Sequence, residues 1–403
     1  MRILLGVTGG IAAYKSAEIV RAFIKRGDEV RVVMTDAARE FITPMTLQVL
    51  SGNPVGTELF DPTYESEIGH IELARWPDVI LVAPATANTI AKLAAGMSDD
   101  LLTTVICATT APVVVSPAMN TQMFRNRAVQ RNLATLEELG YRIVDPDKGE
   151  LACKEVGPGR LPDPHVLLDE AERAATTPLL AGKRVLITAG PTREHLDPAR
   201  FLSNPSTGKM GFALARAARV YGADVTLVAG PTDLLTPYDV QRVDVQTAHQ
   251  MNEAVLVRAD DMDFVVKCAA VADWRPAKPS DHKVAKSSES LTLELERTRD
   301  ILAALGETLP GRTLQIACVS GDLTARMAAP NGLLLVLDPR AGVLPETLAG
   351  DSIAEELESL GRGDQRWVGE NQRFAFPPEP QIAVQSERIK ITPQLARHFF
   401  RRP

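Results

Sequence analysis

Two glycine-bearing turns in this chain have the composition of anion-binding sites. The first, at residues 8–12, reads Thr-Gly-Gly-Ile-Ala and joins an apolar run to a helical pattern. The second, at residues 188–192, reads Thr-Ala-Gly-Pro-Thr and also ends an apolar run. In an α/β sheet such turns bind anions, because free backbone N–H groups and the dipole of the following helix both point there. A chain with two such turns is predicted to carry two active sites.

The first turn belongs to no standard nucleotide motif. It lacks the G-x-G-x-x-G spacing, and Tyr14 rather than glycine precedes Lys15, which excludes a P-loop. Taken alone, it is equally well explained as a tight strand-to-helix turn. Two further strand ends, at residues 84–89 and 117–120, offer small, hydroxyl and amide side chains. The three strand ends are expected to converge on one crevice that could hold a planar ligand.

Two reactive side chains stand out in the first half. His70 is predicted to lie just before a strand, and Cys153 lies on a glycine- and proline-rich loop at residues 149–164. A lone histidine is more often structural than catalytic, and a free cysteine is usually a small buried hydrophobe. A cysteine on a glycine-rich loop suits a lid better than a core, which favours a functional role.

The second half carries its own candidate anion site at residues 206–209, Ser-Thr-Gly-Lys, before a helical pattern. Met210 follows the lysine, so this is no Walker motif, and a structural capping turn is the alternative. Asp273 ends an apolar run and is placed to bind a ribose or a metal. Lys283 and Lys286 lie on a polar loop at residues 273–290, which is predicted to be mobile; an ordinary solvated basic loop is equally compatible.

The elements that must position these residues alternate along the chain. The apolar runs show little period-two alternation, as expected of parallel strands covered by helices on both faces. We predict α/β architecture with two doubly wound, Rossmann-like domains, at residues 1–178 and 182–403. Predicted strands cover residues 3–7, 29–34, 79–83, 113–116, 142–144, 185–188, 224–228 and 264–269, and predicted helices cover 12–25, 87–94, 123–139, 166–175, 211–221 and 248–259. The pattern weakens beyond about residue 320, where 333–337 is a candidate strand.

Composition narrows the function classes. The chain has 403 residues and a net charge of −7 with no basic tract, which argues against nucleic-acid binding. No apolar run has transmembrane length, so no membrane partner is expected. The four cysteines match no disulfide or zinc spacing, which predicts a cytoplasmic protein.

Taken together, residues 6–15, 84–89, 117–120, 151–153 and 157–160 resemble the flavin-containing phosphopantothenoylcysteine decarboxylases. The resemblance covers residues 1–175 and implies an HFCD-type flavoprotein domain with FMN in the crevice. Family members form trimers, often dodecamers, with FMN at subunit contacts. The residues that the resemblance assigns to the cofactor are Gly9, Gly10, Ile11, Ala12, Thr35, Pro84, Thr86, Asn88 and Met119.

The same resemblance implies that His70 and Asn120 act at the substrate and that Cys153 is the acid on a substrate-covering loop. The chemistry suits these residue types, because flavin oxidation of the cysteinyl CH2–SH to a thioaldehyde creates the electron sink that loss of CO2 requires. His70 would then act as a base, Asn120 would hold the carboxylate, and Cys153 would return a proton. Lys154 and Leu161 stand where the family usually has Gly and Met.

The second half resembles the phosphopantothenate–cysteine ligases through residues 187–194, 197–204 and 269–273, and the two halves together resemble the bifunctional coenzyme A biosynthesis proteins. The resemblance implies CTP with Mg²⁺, an acyl-cytidylate intermediate attacked by cysteine, and a dimer. Asn204 would act at the acyl intermediate and Lys283 would be catalytic as well as nucleotide-binding. The implied nucleotide contacts are Gly190, Ser206, Thr207, Gly208, Lys209, Ala270, Asp273, Lys283, Lys286, Asp300 and Ile301.

The ligase pattern is incomplete in its lysines. The Lys-x-Lys-Lys loop of that family reads Lys-Val-Ala-Lys at residues 283–286, and Lys390 is the only lysine after it. Either other cations bind the triphosphate, or the domain serves assembly. We therefore expect a bifunctional enzyme that ligates cysteine to 4′-phosphopantothenate and decarboxylates the product. A decarboxylase fused to a structural ligase domain and a non-catalytic flavin-binding assembly protein are the alternatives.

Overall fold

The structure is a computed structural model that describes residues 1–59, 69–152, 154–284 and 292–308, together with the backbone of 315–318 and 334–337. The chain divides into two compact units. The first comprises residues 1–182 and 218–223, and the second comprises 183–217 and 224–403. Among the described residues, no helix is both long enough and apolar enough to span a bilayer.

The first unit is built on a six-stranded, wholly parallel sheet in the order β3-β2-β1-β4-β5-β6. Its strands are β1 (Arg2–Val7), β2 (Glu29–Met34), β3 (Val55–Gly56), β4 (Val79–Ala85), β5 (Val113–Pro117) and β6 (Arg142–Ile143). Every residue of β4 is buried, because β4 lies inside the sheet and helices cover both of its faces. The predicted α/β class with parallel sheets is confirmed.

The helices of the first unit follow these strands. They are α1 (Ser16–Arg26), α2 (Asp36–Arg39), α3 (Pro44–Ser51), α4 (His70–Arg75), α5 (Ala87–Ala94), α6 (Leu101–Ala108), α7 (Thr121–Arg125), α8 (Arg127–Glu138) and α9 (Pro164–Ala175). Two predicted helices are divided. A 3-10 turn at Ile11–Lys15 precedes α1, and Asn126 separates α7 from α8 by capping the latter through the amide of Ala128.

A β-hairpin replaces the irregular loop predicted at residues 149–164. It consists of the antiparallel strands β7 (Asp147–Glu150) and β8 (Val156–Arg160). Its glycines permit close backbone approach to residues 119–121: Gly159 has φ of 139°, and an added Cβ would lie 2.1 Å from the Met119 carbonyl oxygen. The Met119 amide donates to the Gly159 carbonyl at 3.0 Å. The role of these glycines is therefore to let the hairpin pack closely against residues 119–121, not to make it flexible.

The second unit contains a four-stranded parallel sheet in the order β13-β12-β9-β14. Its elements are β9 (Arg184–Ala189), β10 (Arg193–Asp197), β11 (Arg200–Ser203), α10 (Lys209–Val220), β12 (Asp224–Ala229), β13 (Gln241–Asp244), α11 (Ala248–Ala259), β14 (Phe264–Lys267), β15 (Trp274–Pro276), β16 (Leu295–Arg297), α12 (Ile301–Thr308), β17 (Gln315–Cys318) and β18 (Leu334–Leu337). The candidate strand at 333–337 is present as β18, paired in parallel with β17.

Two antiparallel pairs were not anticipated in the second unit. Strands β10 and β11 form a hairpin, and β15 pairs with β16. The prediction of a loop over 273–290 is therefore wrong at its beginning, because Trp274–Pro276 is a strand. Residues 285–291 lie outside the described part of the chain.

The start of α11 yields a test of local stability. The Thr247 hydroxyl accepts from the Gln250 amide at 3.2 Å, and the Gln250 side chain accepts from the Thr247 amide at 3.3 Å. We expect Thr247→Ala to lower the free energy of unfolding by about 1 kcal/mol, because a helix amide loses its cap. Thr247→Ser keeps the hydroxyl and should unfold like the parent in urea. Equal losses in both variants would contradict a capping role.

Candidate functional site

A buried threonine joins the strand ends that form the first candidate site. The hydroxyl of Thr8, which is fully buried after β1, donates to the Pro84 carbonyl at 2.7 Å and accepts from the Thr86 amide at 3.0 Å. The carboxyl ends of β1 and β4 are therefore held side by side. This is the edge at which parallel sheets bind ligands.

A crevice of about 1040 Å³ opens at this edge. Pockets of roughly 300–1,000 Å³ are typical of small-molecule sites. The structure brings together eight of the nine residues predicted to bind the cofactor, and also Asn120; Pro84 contributes its carbonyl to Thr8 instead. The predicted cofactor and substrate residues that line the crevice are Gly9, Gly10, Ile11, Ala12, Thr35, Thr86, Asn88, Met119 and Asn120.

One hydroxyl at this crevice is unsatisfied. Thr35 Oγ1, just after β2, is buried without a hydrogen-bond partner in the described part of the chain. A buried hydroxyl left without a partner costs about 1–3 kcal/mol, so such a group normally has one. A polar ligand in the crevice would supply it, and the residues present therefore fit a group such as a flavin.

Positive charge lies at the same edge. The Lys15 ammonium lines the crevice and donates to the Leu161 carbonyl at 3.2 Å. Lys92 also lines it, but its ammonium contacts Asp99 and Asp100 at 2.8 and 2.9 Å. Hydrogen bonds from Lys92 to these carboxylates raise its pKa. Lys15 is therefore the better candidate to attract a phosphate to the glycine turn.

Asn120 has both halves of its amide in use. Its Oδ1 caps α7 by accepting from the Gln122 amide at 2.8 Å, and its Nδ2 donates to the Glu155 carboxylate at 2.8 Å. A carboxylate thus occupies the donor that was predicted to hold the substrate's carboxylate. Glu155 is the last residue of the loop that joins β7 to β8, next to Lys154, which adopts a left-handed φ of 64°. Cys153 lies outside the described residues.

His70 is the first residue of α4, so the prediction that it directly precedes a strand is wrong. It is not among the residues that line the crevice of a single chain. Its catalytic assignment stays a prediction.

In the second candidate site a threonine hydroxyl again joins two neighbouring strand ends. Thr188 Oγ1, near the end of β9, accepts from the amides of Cys268 and Ala269 at 3.1 and 3.2 Å. The Ala270 amide donates to the Gly190 carbonyl at 2.9 Å, which continues the contact beyond the strand ends. Asn204 Nδ2 donates to the carbonyls of Ala270 (3.2 Å) and Val271. The motifs at 188–192, 197–204 and 269–273 are thereby brought together.

The turn before α10 is shaped by glycine and capped by hydroxyls. Gly190 and Gly208 both have φ of 78°, and an added Cβ on Gly208 would lie 3.2 Å from the Gly190 backbone. The Gly208 amide donates to Ser206 Oγ at 3.3 Å, and the Lys209 amide lies 3.5 Å from Thr207 Oγ1. The predicted capping role of these hydroxyls and an anion-binding role are compatible, because a phosphate can replace weak caps.

The remaining predicted nucleotide contacts differ in availability. Asp300 caps α12 by accepting from the Leu302 and Ala303 amides at 2.8 and 3.2 Å. The Ile301 side chain is packed in the core, which leaves its backbone for any contact. Asp273 and Lys283 are exposed, and Lys286 lies outside the described residues. The described residues contain no group of three or more His, Cys, Asp or Glu that could hold a metal ion.

Sequence analysis did not identify Lys267 as a residue of interest. It ends β14 with a half-buried side chain, and burial lowers its pKa while the charge of Asp300 opposes that shift. The available signal was a single lysine inside an apolar strand, Phe-Val-Val-Lys.

The fold and the first crevice define an α/β flavoprotein unit, which is followed along the chain by a second α/β unit. Comparison with known proteins agrees. Residues 1–175 match the Flavoprotein family model, and residues 180–320 match the model described as DNA/pantothenate metabolism flavoprotein C-terminal domain. The chain is 53% identical over 317 residues to the coenzyme A biosynthesis bifunctional protein CoaBC of Vibrio cholerae, covering 78% of this chain and 79% of that relative. Identity to the Escherichia coli CoaBC is 50% over 309 residues, covering 75% and 76%.

The chain belongs to the family of coenzyme A biosynthesis bifunctional proteins, which confirms the resemblance drawn from the motifs. Among solved structures, it is similar to a mutant PPC decarboxylase complexed with pantothenoylaminoethenethiol. That likeness has 35% identity and a TM-score of 0.38, and it covers 42% of this chain and 94% of the other.

The two glycines of the first turn should respond differently to substitution. A Cβ on Gly9 would lie 2.3 Å from Ala37 Cβ and 2.6 Å from its carbonyl carbon, whereas among the described residues a Cβ on Gly10 would meet only Thr86 Cγ2, at 3.6 Å. We expect Gly9→Ala to lower the free energy of unfolding by about 2 kcal/mol through overpacking. The matched change Gly10→Ala should cost less than about 0.5 kcal/mol. Equal stability of the two variants in urea would contradict the close approach of Ala37.

The burial of Lys267 predicts a pH-dependent stability. Its pKa in the folded state lies below the ordinary lysine value of 10.5, so between the two values the unfolded state binds more protons and stability rises with pH. Lys267→Met should therefore raise Tm near neutral pH, and the gain should shrink as the pH approaches 10.5. The exposed Lys278→Met serves as control and should show no such trend. A gain that is independent of pH would refute the explanation by burial.

Proposed function

We propose that this chain catalyses two successive steps of coenzyme A biosynthesis. The second unit joins cysteine to 4′-phosphopantothenate with CTP, and the first unit decarboxylates the resulting 4′-phosphopantothenoylcysteine to 4′-phosphopantetheine. The observation that carries the proposal is the convergence of the separate sequence motifs on one crevice in the first unit and one strand edge in the second. Family membership supports both activities.

In the first unit, the amides of the glycine turn and Lys15 would hold the phosphate of FMN, and the Thr35 hydroxyl would bind a polar group of the cofactor. A bound flavin would supply reversible hydride transfer, and with it the electron sink that decarboxylation requires. Asn120 Nδ2 would bind the substrate carboxylate in place of Glu155. Cys153 would supply the final proton, and His70 would act as the base.

In the second unit, the amides of Gly208 and Lys209 and the Lys209 ammonium would receive phosphate groups of CTP. Lys283 would contact the transferring group, and Asn204 would hold the acyl intermediate. Mg²⁺ would accompany the triphosphate and neutralise part of its charge. We also propose trimeric or dodecameric assembly through the first unit and dimers through the second. The cytoplasmic location stays a prediction.

The missing lysines favour one competing function, a decarboxylase whose ligase unit serves only assembly. Lys209 and Lys283, both exposed, remain as cations that could bind the triphosphate. Arginine is a poor substitute for lysine at positions that bind a triphosphate, so arginines do not make up for the missing lysines. Measuring turnover of the ligase reaction decides between an active and a structural second unit.

Release of pyrophosphate and CO2 by the purified chain tests the two activities separately. With 4′-phosphopantothenate, cysteine and Mg²⁺, we expect pyrophosphate with CTP and less with ATP. With supplied 4′-phosphopantothenoylcysteine, we expect CO2 without any nucleotide. CO2 without pyrophosphate from either nucleotide would contradict the ligase proposal and favour a structural second unit. A yellow protein that releases no CO2 would leave only a flavin-binding role.

Asn120→Asp tests the decarboxylase site. The aspartate keeps an oxygen that can cap α7 but replaces the amide donor with negative charge, so the substrate carboxylate should be repelled. We expect kcat/KM for CO2 release to fall about 100-fold or more, as for loss of a charge-binding donor. Asn126→Asp, a matched change at the cap of α8, should leave the rate near that of the parent. A similar rate in both variants would remove Asn120 from the mechanism.

A further inference from the structure

The segment that carries Lys283 is attached to the β10–β11 hairpin by contacts that the proposed function does not use. The Ser280 amide donates to the Leu196 carbonyl at 2.9 Å. Val284, the residue after Lys283, has both of its backbone groups bound: its amide donates to Asp197 Oδ2 at 3.2 Å, and its carbonyl accepts from Arg200 Nη2 at 2.9 Å. The backbone on both sides of Lys283 is thereby anchored.

Asp197 is the centre of this arrangement. Its side chain is buried, yet its carboxylate accepts from the amides of Ala199 and Arg200 at 2.8 and 2.9 Å and from the Arg200 guanidinium at 2.9 Å through Nε. Hydrogen bonds from Arg200 hold the pKa of Asp197 well below its usual range. A buried carboxylate with this many donors is a rigid group, and it orients Arg200 through two guanidinium donors, Nε and Nη2, on the same oxygen, Oδ2.

The hairpin contains a second buried carboxylate with a different target. Glu194 Oε1 accepts from the Ala248 amide at 2.8 Å, at the start of α11 and not on the segment of Lys283. The two acids therefore share burial and a backbone amide partner, but only Asp197 is connected to the residue beside Lys283. Glu194 provides an internal control for the general effect of altering a buried acid in this hairpin.

We infer that Asp197 and Arg200 are positioning residues that hold Lys283 in place for the nucleotide. This inference rests on the proposed ligase function and on the assignment of Lys283 to it. A lysine side chain has several rotatable bonds, so fixing its backbone removes part of the freedom lost when its ammonium meets a phosphate. The effect matters more here because this chain has fewer lysines in the loop than the ligase family.

The test uses the full-length chain and two readouts. The first is CTP-dependent pyrophosphate release. The second is protection of Lys283 from acetylation by CTP, measured by mass spectrometry, which does not require turnover. We expect Asp197→Asn to lower kcat/KM for CTP about 10-fold or more, as for a misplaced catalytic group, and to abolish the protection. Glu194→Gln should change neither, and CO2 release from supplied 4′-phosphopantothenoylcysteine should be unchanged in both variants.

A double-mutant cycle separates positioning from general destabilisation. In a Lys283→Met background, Asp197→Asn should have no further effect on pyrophosphate release, because the group that it positions is absent. Arg200→Lys keeps the charge but loses the guanidinium whose Nε and Nη2 contact Asp197 and whose Nη2 contacts Val284, so it should resemble Asp197→Asn. Additive losses, or unchanged protection of Lys283 in Asp197→Asn, would overturn the inference.

The outcomes also distinguish this inference from the proposed function. If the parent chain shows neither pyrophosphate release nor protection of Lys283 by CTP, both fail together. If Lys283→Met abolishes pyrophosphate release while Asp197→Asn retains the parent's kcat/KM, the ligase proposal stands and the positioning role is rejected.

Discussion

Each candidate site depends on one buried threonine hydroxyl that cross-links the ends of two parallel strands. In the first unit Thr8 connects β1 to the turn after β4, and in the second unit Thr188 connects β9 to the segment after β14. Each hydroxyl contributes about 1 kcal/mol per net hydrogen bond. Its larger effect is geometric, because it fixes the spacing at the edge where parallel sheets leave amides available for ligands. A glycine soon follows each threonine, so the chain can turn sharply beside the neighbouring segment.

The parts added to this common edge give each unit its own chemistry. In the first unit, the β7–β8 hairpin docks against residues 119–121 through Gly157 and Gly159 and brings Glu155 to Asn120. In the second unit, the β10–β11 hairpin places Asn204 against the backbone of Ala270 and Val271. Each hairpin thus helps to position an amide side chain on which the proposed mechanism depends: Glu155 of the first contacts Asn120, and Asn204 directly follows β11 of the second. The sheets supply a fixed frame. This division explains why loops of little regular pattern contain so many of the motif residues.

The sequence was sufficient for most strands of the two parallel sheets, but it missed the edge strands β3 and β13 and the hairpins. Apolar runs such as residues 79–85 predict buried parallel strands because their environment is uniform on both faces. The β7–β8 hairpin has no such pattern: it contains Pro158, two docking glycines and exposed charges, and it exists because of what it packs against. The 3-10 turn before α1 and the break at Asn126 are likewise decided by local hydrogen bonds rather than periodicity. Residues that line the first crevice were predictable because the motifs coincide with strand ends. The structure does not bring His70 into the crevice of a single chain, and its role rests on the family resemblance.

Isotopic labelling of the cysteine carboxylate tests the central claim, that two linked activities reside in one chain. The purified protein would receive cysteine labelled with ¹³C at the carboxylate, 4′-phosphopantothenate, Mg²⁺ and CTP, and released CO2 would be analysed by mass spectrometry. The account predicts labelled CO2 only when CTP is present, because ligation must precede decarboxylation, and in an amount that does not exceed the pyrophosphate formed. Absence of labelled CO2, from a preparation that decarboxylates supplied 4′-phosphopantothenoylcysteine, would contradict it.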